Sequence, residues 1–394
     1  MTDDRRRPAI RPALPDGDLH ELISGSGIRR VHVLAWRDLD DPEAGGSELH
    51  GHEVLKRWAA AGLAVCMRTS AVPDGPEWVV RDGYEVIRRS GRYRVFPASI
   101  LGEMAGRQGR RDALVEVWNG VPFLTPLWGR GPRMVIQHHD HTAMWPLVLS
   151  PGLARLGSLL ERRLAPPFYR STPVVTLSRS SADDLVAGLG HRPHGVHVVE
   201  PGIDRRYTPG GAPDAVPLVL SVGRLMPSKR VDVLLRAVAE ARLAVGGIRL
   251  EVIGEGPEEG PLRTLATDLG MESSVAFRGR VSDEGLVDAY RRATVLASAS
   301  ISEGWGMTIT EAAACGTPAV VTDISGHRDA VRDGHSGLLA DGPPDLAARL
   351  IEVVGDPGRR AALSAGGILM AARFDWDRTA TEAFRVLAST AGGQ

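Results

Sequence analysis

Short apolar runs rich in β-branched residues alternate along this chain with stretches whose apolar positions recur every three to four residues. The first kind of run predicts buried strands and the second amphipathic helices. "RRVHVLAW" (29–36) reads as a strand, and "GGSELHGHEVLKRWAAAG" (45–62) as a glycine turn entering a helix. "LAVCMRTS" (63–70), "DALVEVWNG" (112–120) and "RMVIQHH" (133–139) read as further strands. "TPVVTLS" (172–178) and "GVHVVEPG" (195–202) flank a helix expected to begin near Ser180. Strand–helix alternation of this kind implies parallel sheets with helices on both faces.

The periodicity lapses over "PGIDRRYTPGGAPDAVP" (201–217), whose four prolines and three glycines have the composition of a linker. It then restarts. Strands are expected at "PLVLSVG" (217–223), "IRLEVIG" (248–254), "SVAFRG" (274–279), "TVLASAS" (294–300) and "PAVVTD" (318–323). Helices are expected from Lys229 to Arg242, over "EGPLRTLATDLG" (259–270) and over "DEGLVDAYRRA" (283–293). The expectation is an α/β chain of two doubly wound domains of similar size, facing a central cleft across a hinge near residues 202–216. Ligands of such sheets bind beyond the carboxyl ends of the strands, and a cleft suits a pair of substrates.

Length agrees, since 394 residues exceed what one core ordinarily holds. A net charge of −1 argues against a general nucleic-acid binder. No apolar run reaches the roughly 18 residues of a membrane span. The first residues, "MTDDRRRPAIRPALPDGD", are polar and Pro-rich without an apolar h-region, so residues 1–27 are expected to be a loose tail rather than a secretory signal. Cys66 and Cys315 stand in unrelated contexts and suggest neither a disulfide nor a zinc site, which makes a reducing cytosol the simplest compartment. Lys56 and Lys229 are the only lysines among 47 basic residues.

The candidate chemistry centres on "EGWGMTITEAAACGTP" (303–318). Gly304 and Gly306 let backbone amides approach a ligand closely, and a helix starting near Met307 adds unpaired amides suited to phosphate. Glu303 and Glu311 are acceptor-only groups when ionised and suit sugar hydroxyls. The plainer alternative is a strand–turn–helix in which Glu303 merely faces the helix dipole and Glu311 lies on a solvated face. In "SVGRLMPSKR" (221–230), Gly223 and Arg224 end a strand and Lys229 precedes a helix. Arginine can fork onto phosphate oxygens while lysine acts as a point charge.

These residues carry a resemblance. "GRLMPSK" and "EGWGMTITEAAACGTPAVVTD" are similar to the signatures of the retaining glycosyltransferases of family 4, which have the GT-B fold of two Rossmann-like domains. The seven residues between Glu303 and Glu311 match that family's spacing. "GGSE" (45–48), "PGID" (201–204), "VIGEGP" (252–257) and "FDWDRTA" (374–380) extend the resemblance from about residue 28 to the end. It implies an N-terminal acceptor-side domain (28–205), a C-terminal donor-side domain (206–373) and a last helix (374–394) crossing back to the first domain.

The resemblance also implies roles. Arg224 and Lys229, with Gly223, would bind the diphosphate of a nucleotide-sugar donor. Glu311 would accept from ribose hydroxyls, Glu303 would lie under the transferring sugar, and the amides of Gly304, Trp305, Gly306 and Met307 would contact that sugar. Trp305 and Met307, often Phe and Leu in the family, would reshape the sugar pocket. Gly45 and Gly46 would close over the phosphate. His138, which ends the strand "RMVIQH" and lies seven before Trp145, matches a histidine beside the donor sugar; His139 and His141 compete for that role.

No residue is marked as a carboxylate nucleophile for double displacement. The implied reaction is therefore a front-face transfer with retention, from a UDP- or GDP-linked sugar to a hydroxyl acceptor, with no metal and no cofactor. A nucleotide-sugar epimerase of the same fold and a non-catalytic binding protein are the other readings; an epimerase would need an acid–base pair over the sugar carbons, and a binder would be expected to have lost Lys229 or a glutamate. "HHDH" suggests metal ligands, yet His138 and His139 would point to opposite faces of a continuing strand. Gly254, Gly256 and Gly260 do not make a GxGxxG, so a nucleotide dehydrogenase is disfavoured.

The acceptor (a polysaccharide, lipid-linked glycan or small metabolite) is left open. The acidic "DLDDPEAGG" (38–46) offers a surface for a hydroxyl-rich or cationic acceptor, and the basic "RRSGRYRVFPASILGEMAGRQGRR" (88–111) one for an anionic membrane, against the favoured reading of both as solvated loops. Cytoplasmic residence is expected, with peripheral contact at the inner face of the cell membrane as the further option.

Overall fold

All eleven of the β-branched runs named above enter a sheet. The computed structural model of the protein describes residues 18–142 and 144–391. The chain divides into two units, one running to Glu200 and resuming at Trp376, the other spanning Pro201–Asp375.

Unit 1 holds β1 (Arg30–Leu34), β2 (Ala64–Thr69), β3 (Trp78–Arg81), β4 (Tyr84–Arg88), β5 (Ala113–Val117), β6 (Arg133–Ile136), β7 (Val174–Thr176) and β8 (Val196–Val198). They form one sheet in the order β3-β4-β2-β1-β5-β6-β7-β8, parallel except for the edge pair β3–β4. That hairpin is absent from the periodicity reading. Its turn, Asp82-Gly83, has positive φ at both residues, the geometry Asp-Gly favours between paired strands.

Expected tail residues 19–26 are instead a helix, Leu19–Ser26, opened by the Asp18 side chain accepting from the His20 amide and closed by Gly27 at φ 75°. Ile23 is buried in the core of unit 1. One buried side chain and two good caps are what a Pro-rich reading overlooks. Residues 1–17 of that expected tail lie outside the described residues.

The last helix, Trp376–Ser389, belongs to unit 1 and packs on the helix Gly46–Ala60. Trp58 stacks edge-on against Phe384, 5.5 Å between centroids, and its indole donates to the Ala380 carbonyl at 2.8 Å. Both rings are fully buried, so each stabilises the unit by roughly 1.5–3 kcal/mol or more.

Unit 2 holds β9 (Leu218–Val222), β10 (Arg249–Ile253), β11 (Val275–Gly279), β12 (Val295–Ser298), β13 (Ala319–Thr322) and β14 (Gly337–Ala340). The order is β11-β10-β9-β12-β13-β14, all parallel. This is the doubly wound order, whose direction of winding reverses between β9 and β12. Helices Val231–Val245 and Pro343–Gly355 bury Leu235, Val238, Leu346, Leu350 and Val353 against one face. The four-residue β14 follows a glycine-containing turn and is too short to show a period.

The expected linker is a correction. Residues 201–217 begin unit 2 and are fastened to it: Arg291 donates to the Thr208 carbonyl at 2.9 Å, Arg206 pairs with Asp204 and Asp283, and Asp214 pairs with Arg249 and Arg292. The segment lacks periodicity because side-chain pairs rather than a ladder hold it.

Candidate active site

The reversal of winding in unit 2 explains why two distant sequence motifs meet. The loops that leave β9 and β12 start from adjacent strands and diverge, so residues 223–230 and 299–306 share one mouth. The first loop turns at Gly223, φ 151°, and a short 3-10 turn at Pro227–Lys229 delivers the lysine. The second ends at Gly306, φ 102°, which starts the helix Met307–Ala314. There the Lys229 ammonium pairs with a Glu303 carboxylate oxygen.

The Glu303 carboxyl is pushed up by burial but held down more strongly by the charges of Lys229 and His327 and by bonds from Lys229 and Ser300, and settles at about 2. It is ionised throughout the working range of an enzyme. His327 is fully buried, with Nδ1 2.9 Å from the Thr322 carbonyl, and burial lowers its pKa despite the pull of Glu303. A Cβ on Gly306 would lie 3.2 Å from His327 Cδ2, and one on Gly326 would lie 2.6 Å from the Glu303 carbonyl oxygen. The turn carrying Glu303 is therefore clamped by "SGH" (325–327), a second glycine turn after β13 that the motif reading does not include.

Glu311 sits in the first helix turns and is nearly buried. Tyr290 donates to its Oε2 at 2.8 Å, and Tyr207 stacks edge-on against Tyr290 at 5.7 Å. Burial raises the Glu311 carboxyl to about 7, the Tyr290 bond acting in the opposite sense. The solvated-face alternative for Glu311 thus gives way to a buried carboxylate held by one oxygen.

Two further expectations meet the geometry here. Trp305 was expected to reshape a sugar pocket; its side chain is 1 % exposed and stands edge-on to Phe374, 5.1 Å between centroids. A large ring beside two small glycines turns inward, leaving only its backbone to the turn. Gly254 and Gly256 lie against the β9 loop: a Cβ there would come within 2.0 Å of the Gly223 carbonyl oxygen and 2.3 Å of the Leu225 carbonyl oxygen. Those glycines serve close packing of two loops.

In unit 1, Gly45 precedes the helix Gly46–Ala60, and its amide donates to Glu48 Oε2 at 2.8 Å. The chain itself engages this amide, because Glu48 at the third helical position reaches back to cap the end. His138 lies two residues beyond β6 and is buried, its Nδ1 3.3 Å from Asn119 Oδ1 and its Nε2 3.4 Å from His50 Nδ1. Burial, then the neighbouring His50, keep His138 neutral well below the usual histidine range; burial lowers His50 to about 4. His139 and His141 stack on each other at 4.2 Å. Among the described residues no group of three or more His, Cys, Asp or Glu is arranged to hold a metal ion.

The acidic and basic stretches of unit 1 turn out to be partners. Asp38 and Asp40 pair with Arg81 and Arg88, and Glu43 with Arg37 and Arg92. Asp38 and Arg88 are nearly fully buried. The favoured reading of both stretches as solvated loops is corrected at Asp38 and Arg88, and Arg88 and Arg92 meet Asp38, Asp40 and Glu43 across about 50 residues of sequence, so these charges are matched within the unit.

Comparison with known proteins follows the same line. The sequence model of the family described as "Glycosyl transferases group 1" matches residues 208–370, inside unit 2. A D-inositol 3-phosphate glycosyltransferase of Streptomyces bingchenggensis is 35% identical over 96% of this chain and 93% of its own. The chain belongs to the group 1 glycosyl transferases. The enzyme of the same description from Rhodococcus jostii is 38% identical, over 53% of this chain and 51% of its own length, so that match spans about half of each protein. Two solved structures share the fold: sucrose-phosphate synthase from Thermosynechococcus elongatus (TM-score 0.77, 18% identity, 91% of this chain and 98% of the other) and Anabaena HepE, solved with UDP and glucose (0.72, 18%, 92% and 100%). Both support the two Rossmann-like domains of the GT-B class.

Proposed function

We propose that this chain transfers a sugar from a nucleotide-diphosphate donor, UDP- or GDP-linked, to a hydroxyl acceptor with retention of configuration and without a metal ion. The observation that carries the reading is the Lys229–Glu303 pair at the mouth of the β9–β12 switch, beside the N-terminus of the helix Met307–Ala314 that carries the buried Glu311.

Chemistry assigns the parts. The diphosphate lies against the amides of residues 304–307 and takes Arg224 and Lys229 as counter-charges, so it competes with Glu303 for the ammonium. Those cations and the helix end stabilise the leaving phosphate where a divalent ion would otherwise serve. Glu303, ionised at about 2, lies under the sugar and favours the positive charge that develops at its anomeric carbon. The departing phosphate takes the proton of the incoming hydroxyl, so the new bond forms on the face the old one leaves. Glu311 accepts from the ribose through the oxygen that Tyr290 does not occupy. His138, Gly45 and Gly46 are assigned to the donor on the resemblance and are tested by substitution in the same assay.

The relatives' description makes D-inositol 3-phosphate the first acceptor to try. Product mass spectrometry across UDP-, GDP- and dTDP-sugars, with and without acceptor, tests the reading. A sugar-shifted acceptor supports it. Conversion of the donor sugar to its epimer without acceptor would replace it.

A further inference from the structure

A helix that packs on a protein normally turns its large apolar side chains inward. The helix Pro151–Leu159 and the π-helical turn Leu160–Leu164 of unit 1 do the reverse. Their inner face is made of small or polar residues. Ala154 and Ala165 are buried, and Gly157 lies on the Trp145 indole so closely that a Cβ would come within 2.9 Å of it. Glu161 is fully buried and accepts from Trp145 Nε1 at 2.8 Å and from the His141 amide at 3.1 Å. These contacts fix the segment without help from its leucines.

Leu153, Leu156 and Leu164 are 55%, 57% and 50% exposed, and with the half-buried Leu160 they recur at the spacing of one helix face. Leu159 and Phe168 extend the apolar surface. Arg155, Arg162, Arg163 and Arg170 border it, all exposed, and no acidic side chain pairs with any of them among the described residues. The segment's acid, Glu161, is turned inward, so no carboxylate of the segment stands among the exposed leucines and arginines.

We propose that this face seats unit 1 on an anionic lipid surface, with the leucines entering the acyl boundary and the arginines meeting lipid phosphates. Charge decides the occupant. A second copy of the chain packed two-fold on this face would set like-charged arginines against each other. An anionic bilayer satisfies both the apolar stripe and the cations at once. The surface differs from the basic stretch 88–111, where Arg88 and Arg92 are neutralised from within. The inference goes beyond the transferase reading and stands or falls independently of it.

Vesicle sedimentation of the full chain tests it, with pure phosphatidylcholine against equal parts phosphatidylcholine and phosphatidylglycerol. The chain should partition to the anionic vesicles at least roughly tenfold more strongly, and lose that preference at high salt. Leu153→Glu/Leu156→Glu, and separately Arg155→Gln/Arg162→Gln/Arg163→Gln, should each cut the partition by about tenfold or more, while the melting temperature stays unchanged because these side chains are exposed. Equal partition of the wild type and both variants would overturn the proposal, as would no binding to anionic vesicles. A lipid-free dimer in light scattering that the leucine variant abolishes would overturn it in favour of a second copy. Nucleotide-sugar binding by the variants, measured without acceptor, should match wild type whichever way the vesicle result falls.

Discussion

The two units solve the problem of charge in opposite ways. In unit 1 the loop after β1 carries Asp38, Asp40 and Glu43, and each acid is matched by an arginine from elsewhere in that unit. The histidines behind it, His50 and His138, are neutral because they are buried. In unit 2 the switch between β9 and β12 keeps a half-exposed lysine against an ionised glutamate, and buries a second glutamate at the expense of its ionisation. Charges cancelled within a loop give stability and shape. Charges left at a strand-end mouth, with a helix end beside them, can be redistributed onto a ligand. The proposed function rests on this contrast.

The largest effect expected from breaking this contrast is at Lys229. Lys229→Ala should lower turnover at saturating donor by about a hundredfold or more, the scale of losing one transition-state counter-charge. A melting temperature taken alongside separates this from a folding loss, since the side chain is only 29% exposed and its charge holds Glu303 ionised. Arg92→Ala in unit 1 should lower thermal stability and leave turnover of the folded protein near wild type. Wild-type turnover in Lys229→Ala would remove that residue from the mechanism.

The two glutamates should separate next. Glu303→Ala is expected to lower turnover on the order of tenfold to a hundredfold at saturating donor, because the sugar above it gains charge only during transfer. Glu311→Ala should instead raise the donor KM by about tenfold with turnover nearly unchanged, since a ribose contact is the same in ground and transition states. Steady-state kinetics on both variants, showing the same change in the same parameter, would merge the two roles.

Glu311 also predicts a pH signature. Its carboxyl sits at about 7 in the folded chain against an ordinary 4.5, so ionising it costs folding free energy. The sign follows from linkage: its contribution to stability falls as pH rises from about 4.5 to 7, and the full cost remains above that. Glu311→Gln should therefore stabilise the donor-free protein at pH 8, on the order of 1–3 kcal/mol, and not at pH 4. In the wild type, donor affinity should weaken as pH is lowered through 7, because a protonated carboxyl accepts fewer hydroxyls. Melting curves at the two pH values check the first statement and donor titrations the second.

The smallest effect is at Tyr290. Its hydroxyl lowers the Glu311 carboxyl by hydrogen bonding, so Tyr290→Phe should move the pH midpoint of donor binding upward and raise the donor KM a few-fold at neutral pH. Turnover at high pH and saturating donor should be near wild type. A KM change with an unmoved midpoint would make Tyr290 a packing residue only.

How much of this was legible depended on whether the cause was local. Strand runs such as Leu218–Val222 and the glycine turn before Met307 announce themselves, because β-branched clusters and positive-φ glycines have short-range causes. The Asp82-Gly83 hairpin is equally local but makes no apolar run, because its first strand buries no side chain and its second buries only every other one. Tyr290 on Glu311, His327 behind Glu303, and Asp38 with Arg88 join residues 21 to 50 positions apart, and only the sheet order brings them together. The same holds for Trp305, whose inward turn depends on Phe374 nearly 70 residues later.

The central claim is that the charges of unit 2 conduct a transfer from the same face as the departing phosphate, with no ion to help them. The anomeric proton coupling of the product, read by NMR from a UDP-α- or GDP-α-sugar in the presence of EDTA, tests it most directly. The account predicts an α-linked product formed at an undiminished rate. A β-linked product would contradict it, because attack from the opposite face needs a general base, a role the account gives to no residue, and strict dependence on Mg²⁺ or Mn²⁺ would mean that Arg224, Lys229 and the 304–307 amides do not hold the diphosphate alone.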